Sequence, residues 1–429
     1  MDDRITDRST AVAPVTTDGF DLRAPPPDFY DDPYRYYHQL RRSEPVKVFA
    51  DGSVFLTRYD DVAAMYRNPS ASSDKKQEFL PKFGDTPLCE HHTTSLVFND
   101  APVHPRVRKP LLGAVNQRAI ARMEAGVQAL VDHLLDAMQA KAQAGEPVDL
   151  IEDFAAAIPV EVIGNLLAFP REDRGPLRGW SLAILAALEP SLTPRMHADG
   201  NRAVGEFLAY LRDLIAARRA HPLDPEEDVL TRLIRGGGGE ELTEQQLLHN
   251  CIFLLNAGHE TTTNLIGNGV HALLTNRDQL ERLAHECTLG AAGPSAQAPA
   301  LLSSAIEEML RYQSPLQLNN RRLVAPSQIG ERTFAAGTLV TLCVGAANRD
   351  PAQFPEPDRF DIARKPNRHL AFGHGDHACA GMNVARMEAR IALGRLIARF
   401  PGIATGGDPV RDRRVRFRGF SRLPVILST

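Results

Sequence analysis

The stretch F-G-H-G-D-H-A-C-A-G, from Phe372 to Gly381, sets a single cysteine, Cys379, among glycines and ahead of a helical pattern. Gly373 and Gly375 supply backbone angles and close approaches that a Cβ disfavours, so the segment reads as a tight loop. After it, Met382, Ala385, Met387, Ala389, Ile391, Ala392, Leu396 and Ile397 recur at mostly helical spacing until Phe400-Pro401 ends the run. Cys379 therefore stands at a helix N-terminus. The positive end of the helix dipole and the unpaired N–H groups there favour thiolate, the metal-binding form, over thiol. A lone cysteine in such a place is ordinarily a buried free thiol, and the loop by itself leaves both readings open.

Upstream, Thr243-Glu-Gln-Gln246 has the capping-box pattern and opens an apolar-periodic helix running to about Thr275. Its middle carries A-G-H-E-T-T, Ala257 to Thr262. A glycine inside a helix costs about 1 kcal/mol against alanine, and the threonines are weak helix formers, so something other than helix stability selects this segment. Small residues at Ala257 and Gly258 let a flat cofactor or a diatomic ligand approach the backbone. The Glu260 carboxylate beside the Thr261 hydroxyl can relay protons. A distorted helix with satisfied polar side chains is the plainer alternative. Elsewhere, Glu308-Met-Leu-Arg311 puts opposite charges three residues apart on one helix. His104 and Arg108 lie one turn apart and can face one anionic group, or can form a solvated basic turn. Pro110 just beyond them is expected to kink or shorten their helix.

The ten-residue cysteine pattern resembles the haem-ligand loop of the cytochrome P450 family, and the other motifs follow in that family's order: A-G-H-E-T-T, E-x-x-R, Ala347-Asn-Arg-Asp-Pro351 and Phe354-Pro-Glu-Pro-Asp-Arg-Phe360. The resemblance runs from Tyr30 to the end of the chain. It implies the P450 fold, mainly α with small β-sheets, in which a long central helix lies over haem b and Cys379 is the thiolate ligand of its iron. By the same resemblance Phe372 packs against the haem, and His377, His104, Arg108 and Arg321 bind its propionates. Ala257 and Gly258 flank its oxygen side, Thr261 hydrogen-bonds the oxygen and Glu260 delivers protons. Arg321 is favoured over Arg322, which is then expected to face solvent. Glu308 and Arg311 are expected to join Arg359 in a buried network bracing the loop.

With 429 residues, 43% of them hydrophobic, the chain can bury a large core. A net charge of −4 without a dominant run of one sign makes neither nucleic acid nor an anionic membrane an obvious partner, and the arginines from Arg411 to Arg418 read as a solvated strand face. No segment approaches the roughly 18–20 apolar residues of a membrane span, and the first twenty lack a signal-type apolar run. Five scattered cysteines without a C-x-x-C pair argue against disulfides and structural zinc. A cytoplasmic protein without a membrane anchor is expected. Residues 1–27 read as a partly ordered arm and 28–429 as one domain, which starts with a hairpin around Asp51-Gly52 and continues with helices, one carrying the stripe Ile120, Met123, Val127, Leu130, Leu134 and Met138. The runs Gly236–Gly239 and Gly290–Pro299 read as loops.

The resemblance implies a monooxygenase that takes O2 and a small organic substrate. Electrons come from NAD(P)H through a separate ferredoxin and ferredoxin reductase, or a flavodoxin-type donor, since the chain carries no flavin or ferredoxin motif. Arg386 and Arg390 are candidates for a cationic surface that docks such a partner. A peroxide-driven peroxygenase would not need the Glu260–Thr261 pair. A haem gas sensor or carrier would usually bring an output domain. A zinc site built from His374, His377 and Cys379 would lack a fourth clustered ligand. Lys75–Phe98, Trp180–Leu192, Asn256, Leu316–Asn319 and Phe420 are expected to line a mainly apolar pocket with one or two polar anchors.

Overall fold

The computed structural model describes residues 15–225, 228–236, 242–291 and 299–428. Most of the Gly236–Gly239 and Gly290–Pro299 loops, and residues 1–14 of the arm, lie outside the described residues. The rest of the arm packs: Phe20 and Leu22 are buried, and the Phe20 ring lies 5.6 Å from Phe29 and 5.8 Å from Tyr36. Packing thus begins before residue 28.

Helices dominate. The hairpin forms as the Asp-Gly signal predicts: strands Val46–Val48 and Val54–Leu56 pair antiparallel, and Gly52 takes φ +79° in the turn between them. They form one edge of a five-stranded sheet that continues through Leu339–Cys343 and Leu318–Leu323 to Ala71–Ser72. Three smaller sheets complete the β content among the described residues.

The long helix runs from Glu244 to Thr275 and starts with the complete Thr243/Gln246 capping box. Most of its residues are buried on every side, as befits a helix through the centre of a large fold. It packs against the helix Met382–Arg399 that follows the cysteine loop and against the helix Ala300–Tyr312. The helix Gln117–Gln143 buries Ile120, Val127, Val131, Leu135 and Met138, whereas Leu130 and Leu134 are only half-buried. The buried stripe is therefore rotated by about one residue from the one the sequence suggests. No helix among the described residues is long and apolar enough to cross a membrane, and all five cysteines are free.

Candidate active site

The cysteine loop is as tight as its glycines require. Gly373 and Gly375 take φ +65° and +73°, and a Cβ on Gly375 would lie 2.8 Å from the Tyr66 carbonyl oxygen. The Phe372 carbonyl accepts from the Cys379 N–H at 2.9 Å, which closes the loop immediately before the helix Met382–Arg399. Burial pushes the Cys379 thiol up, and the Gly381 N–H, Arg108 and Arg386 partly offset it. A cation bound at the sulfur would favour the thiolate.

A buried ionic network braces this loop. Glu308 and Arg311 are fully buried and joined by two hydrogen bonds, 2.7 Å from Nε and 2.8 Å from Nη2. Arg311 Nη1 donates to the Asn348 and Pro357 carbonyls, and Asn348 Oδ1 accepts the Leu370 N–H at 2.7 Å, two residues before Phe372. The second guanidinium is not that of Arg359. That side chain is 61% exposed and pairs with Glu356; it offers only its carbonyl oxygen to Arg311. Arg364 takes the place, 3.2 Å from Glu308 Oε1 and hydrogen-bonded to three backbone carbonyls. In the sequence these two arginines look alike, and only the turn at 355–364 decides which of them points inward.

Cations gather on one side of the loop. The helix Val103–Ala114 continues through Pro110, so the expected kink does not end it, and Arg108 Nη2 donates to the Ala378 carbonyl at 2.6 Å. The His104 and His377 rings lie 3.9 Å apart. His104 is buried with Nε2 unpartnered, and its burial and the charges of His377 and Arg108 pull its pKa down to about 4. His377 Nε2 stands 3.4 Å from Asp100, a residue the sequence did not single out, which Ser72 and the Ser73 N–H also hold. Arg321 is buried over the Tyr66 ring and, among the described residues, hydrogen-bonds Asn319 and Asn320 and forms no ion pair. Arg322 is not solvated: it pairs with Glu78 at 3.0 Å and donates to the Gly337 carbonyl.

On the long helix, Ala257 is exposed and Gly258 and Thr261 are half-exposed, although Asn256, His259 and Glu260 beside them are buried. The Thr261 hydroxyl donates to the Ala257 carbonyl at 2.9 Å, the back-bond that loosens a helix locally. Gly258 packs closely, since a Cβ there would lie 2.8 Å from Ile163 Cδ1. Glu260 forms an ion pair with Arg414, which also holds Asp412 at 2.8 Å. Burial nevertheless lifts the Glu260 carboxyl to about 7, against the pull of Arg414.

Other charges depart from the sequence reading. Arg411, Arg414, Arg416 and Arg418 are not a solvated face: they bond Asn268, Glu260, Asn320 and the Tyr30 carbonyl respectively. Arg386 makes a bidentate pair with Glu307 at 2.7 and 2.8 Å and lies over the Phe372 ring, while Arg390 pairs with Glu124. A partner would therefore meet compensated charges at these two arginines. His374 is exposed, and no group of three or more metal-ligating side chains occurs among the described residues, which removes the basis for a zinc site.

These residues fit a haem. A cysteine sulfur beside a tight loop, a buried guanidinium without a counter-ion, an unpartnered buried imidazole nitrogen and an exposed small residue on an otherwise buried helix are what an iron, two carboxylates and a flat macrocycle require.

Comparison with known proteins agrees. The family model for cytochrome P450 matches residues 182–424. The chain is 37% identical over 408 residues to vitamin D(3) 25-hydroxylase of Pseudonocardia autotrophica, covering 93% of this chain and 94% of that one. It is 34% identical over 406 residues to the biotin biosynthesis cytochrome P450 of Bacillus subtilis, covering 93% and 97%. Among solved structures, P450BioI in complex with hexadec-9Z-enoic acid ligated acyl carrier protein superposes with a TM-score of 0.84 at 32% identity, covering 94% of this chain and 100% of that one. The chain belongs to the cytochrome P450 family, whose members bind haem b and act as monooxygenases.

Proposed function

We propose that the protein is a haem-thiolate monooxygenase that inserts one oxygen atom of O2 into a mainly apolar organic substrate and reduces the other to water. Two electrons arrive singly from NAD(P)H through separate partners, a ferredoxin with its reductase or a flavodoxin-type donor. The observation that carries this reading is the conjunction at one loop of Cys379, its closing bond to Phe372, and Arg321 buried without an acidic partner. A bound haem would supply oxygen activation, with the Cys379 sulfur as the ligand of its iron.

The chain's own residues do the rest. His104, Arg108, His377 and Arg321 hold the propionates, and Phe372 packs beside Cys379. Ala257 leaves room against the helix, and Gly258 lets Ile163 pack behind it. Thr261 can exchange its bond to the Ala257 carbonyl for one to the reacting oxygen. Glu260, lifted to about 7, holds or yields a proton near neutral pH, and Arg414 fixes its position. The named hydroxylase and acyl-carrier relatives act on or bind molecules with long apolar bodies, which supports a substrate of that character. The test is turnover with NADH, a ferredoxin and its reductase against turnover with peroxide. The first should exceed the second; the reverse would favour a peroxygenase.

A further inference from the structure

A cavity of about 220 Å³ lies between the five-stranded sheet and the helix Lys76–Phe83. Phe79, Phe98, Leu188 and Leu318 make part of its wall apolar. Its inner end is different. Lys75 is 4% exposed, and its ammonium has no hydrogen-bond partner; the nearest carboxylate oxygen, Glu78 Oε1, is 3.6 Å away and already bonded to Arg322. Lys82 donates only to the Glu189 carbonyl, and Arg416 to two carbonyls and the Asn320 amide oxygen.

Glu189 Oε2 accepts the N–H groups of Val415 and Arg416, while its Oε1 is buried without a hydrogen-bond partner. Four cations that line the cavity, Lys75, Lys82, Arg321 and Arg416, thus meet two carboxylates, Glu78 and Glu189, and Glu78 is shared with Arg322. At the outer end Arg23 lies between Asp21 and Asp51, so the positive excess is confined to the inside.

Burying an ammonium without a partner is costly, and here burial pulls Lys75 and Lys82 down to about 8. Both still carry charge at neutral pH. A fold that keeps such charges beside an apolar wall is complementary to an amphipathic anion. One wall of the cavity borders the candidate active site through Arg321, which lines the cavity and lies over Tyr66.

Building on the monooxygenase reading, we propose that the substrate carries a carboxylate, anchored in this cavity by Lys75 with Lys82 and Arg416, and that its apolar body lies along the wall of Phe79, Phe98, Leu188 and Leu318. Arg321 is left to the haem.

The test is calorimetric binding to the purified holoenzyme of octanoic, dodecanoic and hexadecanoic acids, with the matching alcohols as controls. Calorimetry reads binding without relying on the iron, so this inference and the haem-thiolate reading can fail separately. At least one acid should bind about tenfold or more tightly than its alcohol. Lys75→Met should abolish that preference and leave alcohol affinity and haem content unchanged. Its ligand-free melting temperature should equal or exceed that of the wild type, because a buried ammonium without a hydrogen bond has been removed while Glu78 keeps Arg322 as its partner. Lys82→Met repeats the test with a second cation. Equal affinity for acid and alcohol, no binding by any of the acids, or a preference that survives both substitutions would overturn the proposal. So would loss of haem from Lys75→Met, which would assign that lysine to the propionates.

Discussion

Two buried charge clusters in this protein are built on opposite terms. Behind the cysteine loop, Glu308 meets Arg311 and Arg364 with every guanidinium bonded to a carboxylate or a backbone carbonyl. Across the sheet, Lys75, Lys82 and Arg416 share few carboxylates, and the Lys75 ammonium makes no hydrogen bond and only a 3.6 Å ion pair with Glu78. The first cluster is complete within the chain and serves the fold. The second is the one that the proposed carboxylate would complete. Burial of charge is thus not one signal but two, and the state of the partners separates them.

The largest effect should come from breaking the complete cluster. Arg311→Ala leaves Glu308 short of its main partner in a dry site and should cost about 3–5 kcal/mol, read as a fall in melting temperature together with poorer haem retention. A loss below about 1 kcal/mol would mean that water or Arg364 takes over, and the contrast between the clusters would weaken.

Glu260 lies between the two types, paired with Arg414 yet lifted to about 7. Glu260→Gln should lower turnover roughly 100-fold with substrate binding unchanged. The wild-type rate should decline as pH rises through about 7, while the variant's rate should stay flat. An unaltered rate in the variant would remove Glu260 from proton delivery.

A smaller effect is expected at Glu388, on the helix after the cysteine loop, where burial lifts the carboxyl to about 8 despite a hydrogen bond from Thr262. The unfolded carboxyl titrates near 4.5, so between these values the folded state holds the extra proton, and stability falls as pH rises across that window. Glu388→Gln should abolish this decline, as measured by denaturant unfolding at acid and alkaline pH. The same slope in both proteins would place its cause elsewhere. The smallest change should follow Arg359→Ala, within about 0.5 kcal/mol, because its pair with Glu356 is exposed. Arg364→Ala should cost several times more.

What the sequence made legible was backbone chemistry. The glycines of the cysteine loop, the Thr243 capping box, the Asp51-Gly52 turn and the long helix announce themselves because local geometry demands those residue types. The partners of charged side chains were far less legible. Arg359 and Arg364 differ only in which way a turn faces them. Arg411 to Arg418 look solvated until Glu260, Asn268 and Asn320 arrive from distant elements, and Arg386 and Arg390 look like a free basic surface until Glu307 and Glu124 close on them. Gly258 packs against Ile163, a residue about a hundred positions away in sequence that no local rule brings near. The burial that opposes the helix end at the Cys379 thiol likewise comes from the folded loop and not from the local sequence.

The central claim is that the Cys379 sulfur bonds directly to haem iron. The most direct measurement is the absorption spectrum of the reduced, carbon monoxide-saturated holoprotein beside that of Cys379→Ala. The wild type should give the strongly red-shifted Soret band of a thiolate-ligated haem, and the variant should lose that band. An unshifted Soret in the wild type, or a shifted band that persists without the sulfur, would contradict the assignment.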